Sequence, residues 1–257
     1  MTVLQAIILG FVQGITEFLP ISSSGHLIVL PQIFGWGSQQ PLVFDTVLHF
    51  GTALALVVYF WRDLWNLVPR RLAGTYHSMS LLLVGSIPAG IIGFLFGDFF
   101  EIHFREVSTV ATFLILGSVL MTLAEVFHRV LVKTYYNMSL SKGFMVGLFQ
   151  ALALLPGVSR SGSTISGGMF LGLSREEATK FSFLLSIPIV IVASGYKILH
   201  SYNQLSFDLS LLSGFVSSFI VGLFAITFLM SFVRRHSLYW FVGYRISLAV
   251  ILLMFFT

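Results

Sequence analysis

The stretch Gln13-Gly14-Ile15-Thr16-Glu17-Phe18-Leu19-Pro20-Ile21-Ser22-Ser23-Ser24-Gly25-His26 sets a carboxylate, an amide, three consecutive serines and an imidazole inside otherwise apolar sequence. Pro20 predicts that a helix entering from Met1 breaks near Leu19-Pro20, because proline lacks a backbone donor and collides with the preceding turn. A second stretch echoes the first: Gln150-Ala151-Leu152-Ala153-Leu154-Leu155-Pro156-Gly157-Val158-Ser159-Arg160-Ser161-Gly162-Ser163-Thr164. How these two broken segments sit in the chain decides the fold.

The chain is 56% hydrophobic and 9% charged, against about 45–50% and about 25% in ordinary soluble domains. With a mean hydropathy of +0.94, it reads as a polytopic membrane protein built from helices. Cysteine is absent, which excludes disulfides and thiolate metal sites. The net charge of +4 is read as Lys and Arg in cytoplasmic loops, not as a nucleic-acid surface. Met1 to Gly10 has no Lys or Arg, so the basic start of a cleavable signal is missing and the first apolar segment is expected to stay.

Six apolar runs, near 42–61, 78–97, 108–127, 178–199, 209–232 and 238–256, are long enough to cross a bilayer, which takes about 20 helical residues. Regions 1–35 and 143–173 are interrupted midway by the polar clusters. Non-helical backbone at membrane depth survives only where protein or a watery cavity surrounds it, so each is expected to be a re-entrant helix–break–helix. If the first hairpin enters from outside, the cytoplasmic set is Arg62, Arg70, Arg71, Arg129, Lys133, Lys142, Arg175, Lys180, Arg234 and Arg235, and the outer set only Arg105 and Lys197. Ten against two is a strong positive-inside bias. Full double crossings would give the same alternation, so charge fixes orientation and leaves depth open. Arg160 and Arg245 fall inside apolar segments.

The echo is an internal repeat. At an offset of 137, Gly10, Gln13, Ser22, Ser24 and Gly25 match Gly147, Gln150, Ser159, Ser161 and Gly162, with a one-residue slip between Pro20 and Pro156. Weaker matches join Phe44 to Phe181 and Val84-Gly85 to Val221-Gly222. The expected organisation is one integral membrane domain over 1–257, with repeat 1 about 1–137 and repeat 2 about 138–257. Each half is a re-entrant hairpin followed by three crossings. An odd number of crossings inverts the second half, and inverted repeats with broken helices place their site near the membrane interior where the repeats meet.

Several residues carry chemistry. A charge at membrane depth costs about 2.5–3.5 kcal/mol on insertion scales and is a functional candidate by default; Glu17 is the first such residue. Gln13 shares its helical face and could help hold a divalent cation, polarise a hydroxyl, or serve as helix–helix glue, as could its partner Gln150. One of Ser22, Ser23 and Ser24 is expected to cap the second half-helix. His26 can act as base, donor or ligand. Arg160, flanked by Ser159 and Ser161 and followed by Ser163-Thr164, has the planar donor fork that suits phosphate oxygens, or it pairs with Glu17. Together these are the parts of an anion site with nucleophile and base, the natural anion being a phosphate or diphosphate. Asp45 and His49 are expected to line an entrance or face outer water. Glu125 and His128 are expected to be solvated, and Arg175-Glu176-Glu177 with Lys180 to form a capped, solvated first turn. Arg245 has no assigned role.

At its two polar stretches the sequence resembles the undecaprenyl-diphosphate phosphatase family, also called the bacitracin-resistance protein family. The family's Glu/Gln-x-x-x-Glu followed by F-L-P-x-S-S-x-G-H is here Gln13 to His26. Its P-G-x-S-R-S-x-x-T is here Pro156 to Thr164. The resemblance implies hydrolysis of a phosphoanhydride: undecaprenyl diphosphate loses one phosphate and returns as the monophosphate carrier for peptidoglycan and cell-wall synthesis. It implies bacitracin resistance as well, with bacitracin competing indirectly by sequestering the substrate. The implied setting is the bacterial inner membrane, with the site towards the periplasm, and the implied cofactor is a divalent cation, magnesium or calcium. Carried over by position, Ser23 resembles the nucleophile, Glu17 the acid/base or metal-holding group and Arg160 the diphosphate clamp. His26, Ser22, Ser159, Ser161 and Thr164 are supporting members. Whether Ser23 or His26 attacks phosphorus stays open, as does oligomeric state, a homodimer being one arrangement the sequence allows. The rival reading from architecture alone is a secondary transporter or flippase of prenyl phosphates or another anion.

Overall fold

A computed structural model describes residues 1–36, 42–67, 79–131, 138–201 and 208–256. In chain order the helices are α1 (Val3–Phe18), α2 (Ser23–Ile33), α3 (Leu42–Tyr59), α4 (Trp61–Leu67), α5 (Met79–His103), α6 (Val107–Leu131), α7 (Leu140–Leu152), α8 (Arg160–Phe170), α9 (Arg175–His200), α10 (Leu209–Phe232) and α11 (Tyr239–Phe255). No strand occurs among the described residues. Of the predicted cytoplasmic cations, Arg70, Arg71 and Lys133 lie outside them.

α5, α6, α9 and α10 are each long and apolar enough to cross a membrane. The run expected at 42–61 is long and apolar enough together with α4, to which the chain turns by 73°, so that the bent pair makes a fifth candidate. α11 has 17 residues, at the lower limit for a crossing. Large apolar side chains such as Phe94 and Phe224, 77% and 72% exposed, face outward, as lipid contact requires.

Contacts show how far each hairpin runs along its neighbours. α1 runs parallel to α10: the Ser217 hydroxyl donates to the Ile7 carbonyl, Gly10 abuts Gly214, and Gly14 abuts Gly222 near the middle of α10. After the break, α2 doubles back, so that Leu27 and Leu30 pack on Ala6 and Leu9. The second hairpin does the same from the other end. α7 lies along α5, with Gly143 against Leu81 and Gly147 against Gly85, and α8 returns to place Gly167 on Phe149 and Phe170 on Phe149. A side chain on Gly10 or Gly147 would strike the carbonyl oxygen of Gly214 or Gly85. Glycine is therefore what permits these close crossings, which stand in for hydrophobic drive between helices in lipid.

Repeat-equivalent helices run antiparallel, the relation that an inverted repeat requires. Lys180 at the start of α9 bonds Asp63 beyond the end of α3 at 2.5 Å. Glu125 near the end of α6 accepts the Leu238 backbone N–H ahead of α11 at 2.7 Å, while Val107 and Val110 pack with Ala249 and Leu252. The end of the bundle predicted as cytoplasmic corrects one expectation. Glu125 and His128 are not solvated but 2% and 8% exposed, since Glu125 is the carboxylate that takes the Arg175 guanidinium at 2.5 and 2.8 Å. The predicted capped start of α9 is present as a Ser174–Glu177 capping box. Its charges are tied to other elements, Arg175 to Glu125 of α6 and Glu176 to Arg234 in the turn after α10.

Candidate active site

Both polar breaks have one local design. α1 ends because Leu19, forced extended (φ −64°, ψ 140°), precedes Pro20. Ser22 then starts α2: its hydroxyl accepts the Gly25 N–H at 3.4 Å and lies 3.3 Å from the Ser24 hydroxyl. Ser159 does the same for α8, accepting from Gly162 at 3.2 Å, with Ser161 at 3.2 Å. Of the three serines, Ser22 is therefore the cap. Ser22 and Ser159 have φ of 74° and 78° and are the non-glycine residues with positive φ among those described. Such conformations cost about 1–3 kcal/mol each and persist only where the surroundings enforce them.

Arg245 does the enforcing. Its side chain is fully buried and enters between the hairpins from α11. One guanidinium nitrogen donates to the Pro20 carbonyl at 3.2 Å. Another donates to the carbonyls of Gly157 and Val158, each at 3.0 Å. Pro20 and Gly157 are equivalent at the repeat offset, so one side chain grips the same carbonyl in both breaks. Its Nε holds the Ser118 hydroxyl at 3.0 Å, fixing the assembly to α6. The hairpins are also joined directly, the Ser161 hydroxyl donating to the Leu19 carbonyl at 3.1 Å.

The clasp brings Glu17, Ser23 and Arg160 together. Ser23 and Arg160 are the first residues of α2 and α8, equivalent positions on opposite sides of the site. Glu17 closes α1, and its side chain is 7% exposed. Its Oε1 receives Arg160 at 2.7 Å. Its Oε2 receives the Ser23 hydroxyl at 2.6 Å and the Gln13 amide at 3.0 Å, with the His49 Nε2 at 3.5 Å. His49 is oriented by its Nδ1, 2.7 Å from the Asp45 carbonyl. A serine hydroxyl on an ionised carboxylate beside a guanidinium can donate its proton while the cation neutralises an incoming anion.

The remaining predicted residues are placed as follows. His26 lies on α2 but faces α11: Nδ1 is 2.7 Å from the Ser22 carbonyl and Nε2 2.7 Å from the Tyr244 hydroxyl. A carbonyl only accepts, so Nδ1 carries a proton, and in the neutral imidazole Nε2 accepts from tyrosine. Thr164 donates to the Arg160 carbonyl at 2.8 Å and meets Ser182 of α9 at 2.5 Å. Ser22, Ser159, Ser161 and Thr164 thus build the scaffold on which Ser23 and Arg160 stand. Gln13 steadies Glu17. His49, set aside in the sequence as an entrance residue, belongs to the centre, and Arg245 holds it together. The available signal was an ionisable residue inside an apolar segment, which Arg245 shares with Arg160.

Beside this centre lies a cavity of about 320 Å³, lined by Ser24, His49, Gln150 and Arg160 and by the apolar Leu27, Ile28 and Ile189. Asp45, Arg105 and Lys197 border it, so it opens towards the loops predicted as outer. For a divalent cation, no group of three or more His, Asp and Glu side chains gathers among the described residues. Oxygen is nevertheless available: Oε1 of Gln13 is buried without a hydrogen-bond partner, one turn from Glu17. That pair suits a hard cation such as magnesium, which takes one or two protein oxygens and the rest from water and substrate phosphates.

Two opposed broken-helix hairpins, closed around a buried acid, hydroxyl and guanidinium, define a polytopic helical membrane protein. The family model described as bacitracin resistance protein BacA matches residues 6–251, and the chain belongs to that family. Among its relatives, the undecaprenyl-diphosphatase of Moorella thermoacetica is 43% identical over 100% of this chain and 98% of its own. That of Thermodesulfovibrio yellowstonii is 42% identical over 98% and 96%. Undecaprenyl-diphosphatase 1 of Corynebacterium jeikeium is 40% identical over 98% and 94%.

Proposed function

We propose that this protein is an undecaprenyl-diphosphatase of the bacterial plasma membrane, taking its substrate from the outer side and recycling the cell-wall lipid carrier. The observation that carries this is the Ser23 hydroxyl 2.6 Å from one oxygen of Glu17 while Arg160 holds the other at 2.7 Å. Ser23 Oγ attacks the terminal phosphorus, and its proton passes to Glu17. The bond from that phosphorus to the bridging oxygen breaks, and undecaprenyl monophosphate leaves with the electron pair and takes the proton from Glu17, which is a carboxylate again. Water, deprotonated by the same carboxylate in the second half-reaction, frees phosphate from the serine. Ser23 is favoured over His26 as nucleophile because both imidazole nitrogens of His26 are engaged away from Glu17. Arg160 serves the anion best, with a planar fork whose NH1 has no hydrogen-bond partner among the described residues. The apolar wall of the cavity suits the first prenyl units.

Glu17 and Gln13 would hold a divalent cation here. When bound, it supplies positive charge to the diphosphate oxygens. By lowering the diphosphate pool that bacitracin sequesters, this activity would confer resistance. The test is phosphate release from undecaprenyl diphosphate by the purified protein in detergent, with EDTA and magnesium or calcium add-back. Wild type is expected to release phosphate in a cation-dependent way, and Ser23→Ala to lose at least 10²-fold. Wild-type rates in Ser23→Ala would remove serine from the mechanism.

A further inference from the structure

The two repeat-related glutamines are treated differently by the fold. Gln13 in α1 spends its amide on Glu17, four residues later, at 3.0 Å. Gln150, its equivalent in α7, has Leu154 at the matching position and so has lost the internal carboxylate. It is 3% exposed, and both polar atoms of its amide are buried without a hydrogen-bond partner among the described residues. An amide hidden from water and left unpaired is a standing cost that packing alone does not justify. Gln150 lines the same cavity as Ser24 and Arg160, and the Arg160 side chain carries a second buried, unpaired donor, NH1. Two orphaned donors on one cavity call for an acceptor with several oxygens.

We propose that Gln150 is a substrate-binding residue whose amide donates to the diphosphate headgroup, a phosphate oxygen filling the place that Glu17 fills for Gln13. The inference rests on the phosphatase reading above and adds a contact from the second half of the chain. Gln150 moves no proton and breaks no bond; with Arg160 it holds the headgroup where Ser23 can reach it. This separates it from a helix-packing amide, whose partner would be another helix.

The test uses the full chain purified in detergent, as wild type, Gln150→Leu and Gln150→Glu. It has three readouts: phosphate release against undecaprenyl diphosphate concentration, binding of methylenediphosphonate (a diphosphate whose CH2 bridge resists hydrolysis), and thermal unfolding. Gln150→Leu is expected to raise KM and weaken methylenediphosphonate binding about tenfold or more, the scale of a hydrogen bond to a charged acceptor. It should melt no lower than wild type, because no bond inside the protein is lost. Gln150→Glu, of the same shape with a repelling charge, should bind still more weakly. An unchanged KM and unchanged binding in Gln150→Leu would overturn the inference while leaving the phosphatase reading intact, and a lowered melting temperature with unchanged binding would do so by making Gln150 a packing residue. Wild type that binds methylenediphosphonate through Gln150 yet releases no phosphate would retain the anion site and sink the phosphatase. Wild type that does neither would sink both.

Discussion

The two roles given to Arg160, the ion pair with Glu17 and the proposed clamp on the headgroup, can be separated by one pair of substitutions. At rest Arg160 neutralises Glu17, 2.7 Å away, with side chains only 15% and 7% exposed. Arg160→Met keeps the length and removes the charge, leaving a buried carboxylate. Stranding one member of a buried pair costs about 3–5 kcal/mol. The lower end is expected here, near 3 kcal/mol, because Glu17 keeps Ser23 at 2.6 Å and Gln13 at 3.0 Å, and water reaches it past His49, 29% exposed. Adding Glu17→Gln removes the stranded charge, so the double variant should return to within about 1 kcal/mol of wild type, since neutral replacements of a buried pair are often tolerated. Catalysis should not return: both variants lack the cation over the transferring phosphoryl group, a loss of about 10³-fold or more by analogy with other phosphoryl-transfer arginines. Unfolding by SDS titration in mixed micelles gives the first quantity, and phosphate release the second. A double variant as unstable as Arg160→Met would show that Arg160 stabilises through contacts other than Glu17. Wild-type kinetics in Arg160→Met would end its role as the clamp.

Three further outcomes follow from the packing. Arg245→Met leaves the Pro20, Gly157 and Val158 carbonyls without their donor; at about 1–3 kcal/mol for each unsatisfied buried group, unfolding should shift by at least about 3 kcal/mol, and phosphate release by any folded fraction should fall, with partial recovery in Arg245→Lys. Gly147→Leu must displace the Gly85 carbonyl, whereas Gly195→Leu meets nothing within 4 Å; the first should fail to give a monodisperse protein on size-exclusion chromatography, and the second should melt within about 0.5 kcal/mol of wild type, as surface changes do. Glu125→Gln keeps an oxygen for the Leu238 N–H but loses the charge that holds Arg175; stability should drop by about 1–3 kcal/mol, and the folded fraction should release phosphate as wild type does, because this contact lies at the opposite end from the cavity.

The hairpins were legible because proline and glycine interrupt apolar runs at matching positions, a local signal that needs no tertiary information. Glu17 and Arg160 stood out as candidates because a charge at membrane depth demands a reason, whereas Ser23 is singled out from its neighbours only by the family resemblance. What one dimension hides is which face of a helix a residue occupies and what stands opposite. Asp45 and His49 lie one turn apart near the predicted outer end, which reads as an entrance or a face towards outer water; only the packing of α3 beside α1 sets His49 against Glu17. Glu125 was read as solvated because it ends an apolar run, but its partner Arg175 is 50 residues away. Arg245 hid for a different reason: its partners are backbone carbonyls, which every residue has and no sequence pattern marks.

The repeat also explains why the site is divided as it is. If both halves had kept the first motif, two carboxylates would face each other across the break, and in a poorly solvated site both could not ionise. Two copies of the second motif would set guanidinium against guanidinium. Instead the equivalent positions differ in pairs: Glu17 against Leu154, and Ser23 against Arg160. The first half supplies acid and hydroxyl, and the second supplies the cation that lets the acid stay charged. Arg245, belonging to neither hairpin, grips the same carbonyl of both. The geometry of the cluster is thereby made to depend on the two halves docking, so that neither hairpin can assemble it alone.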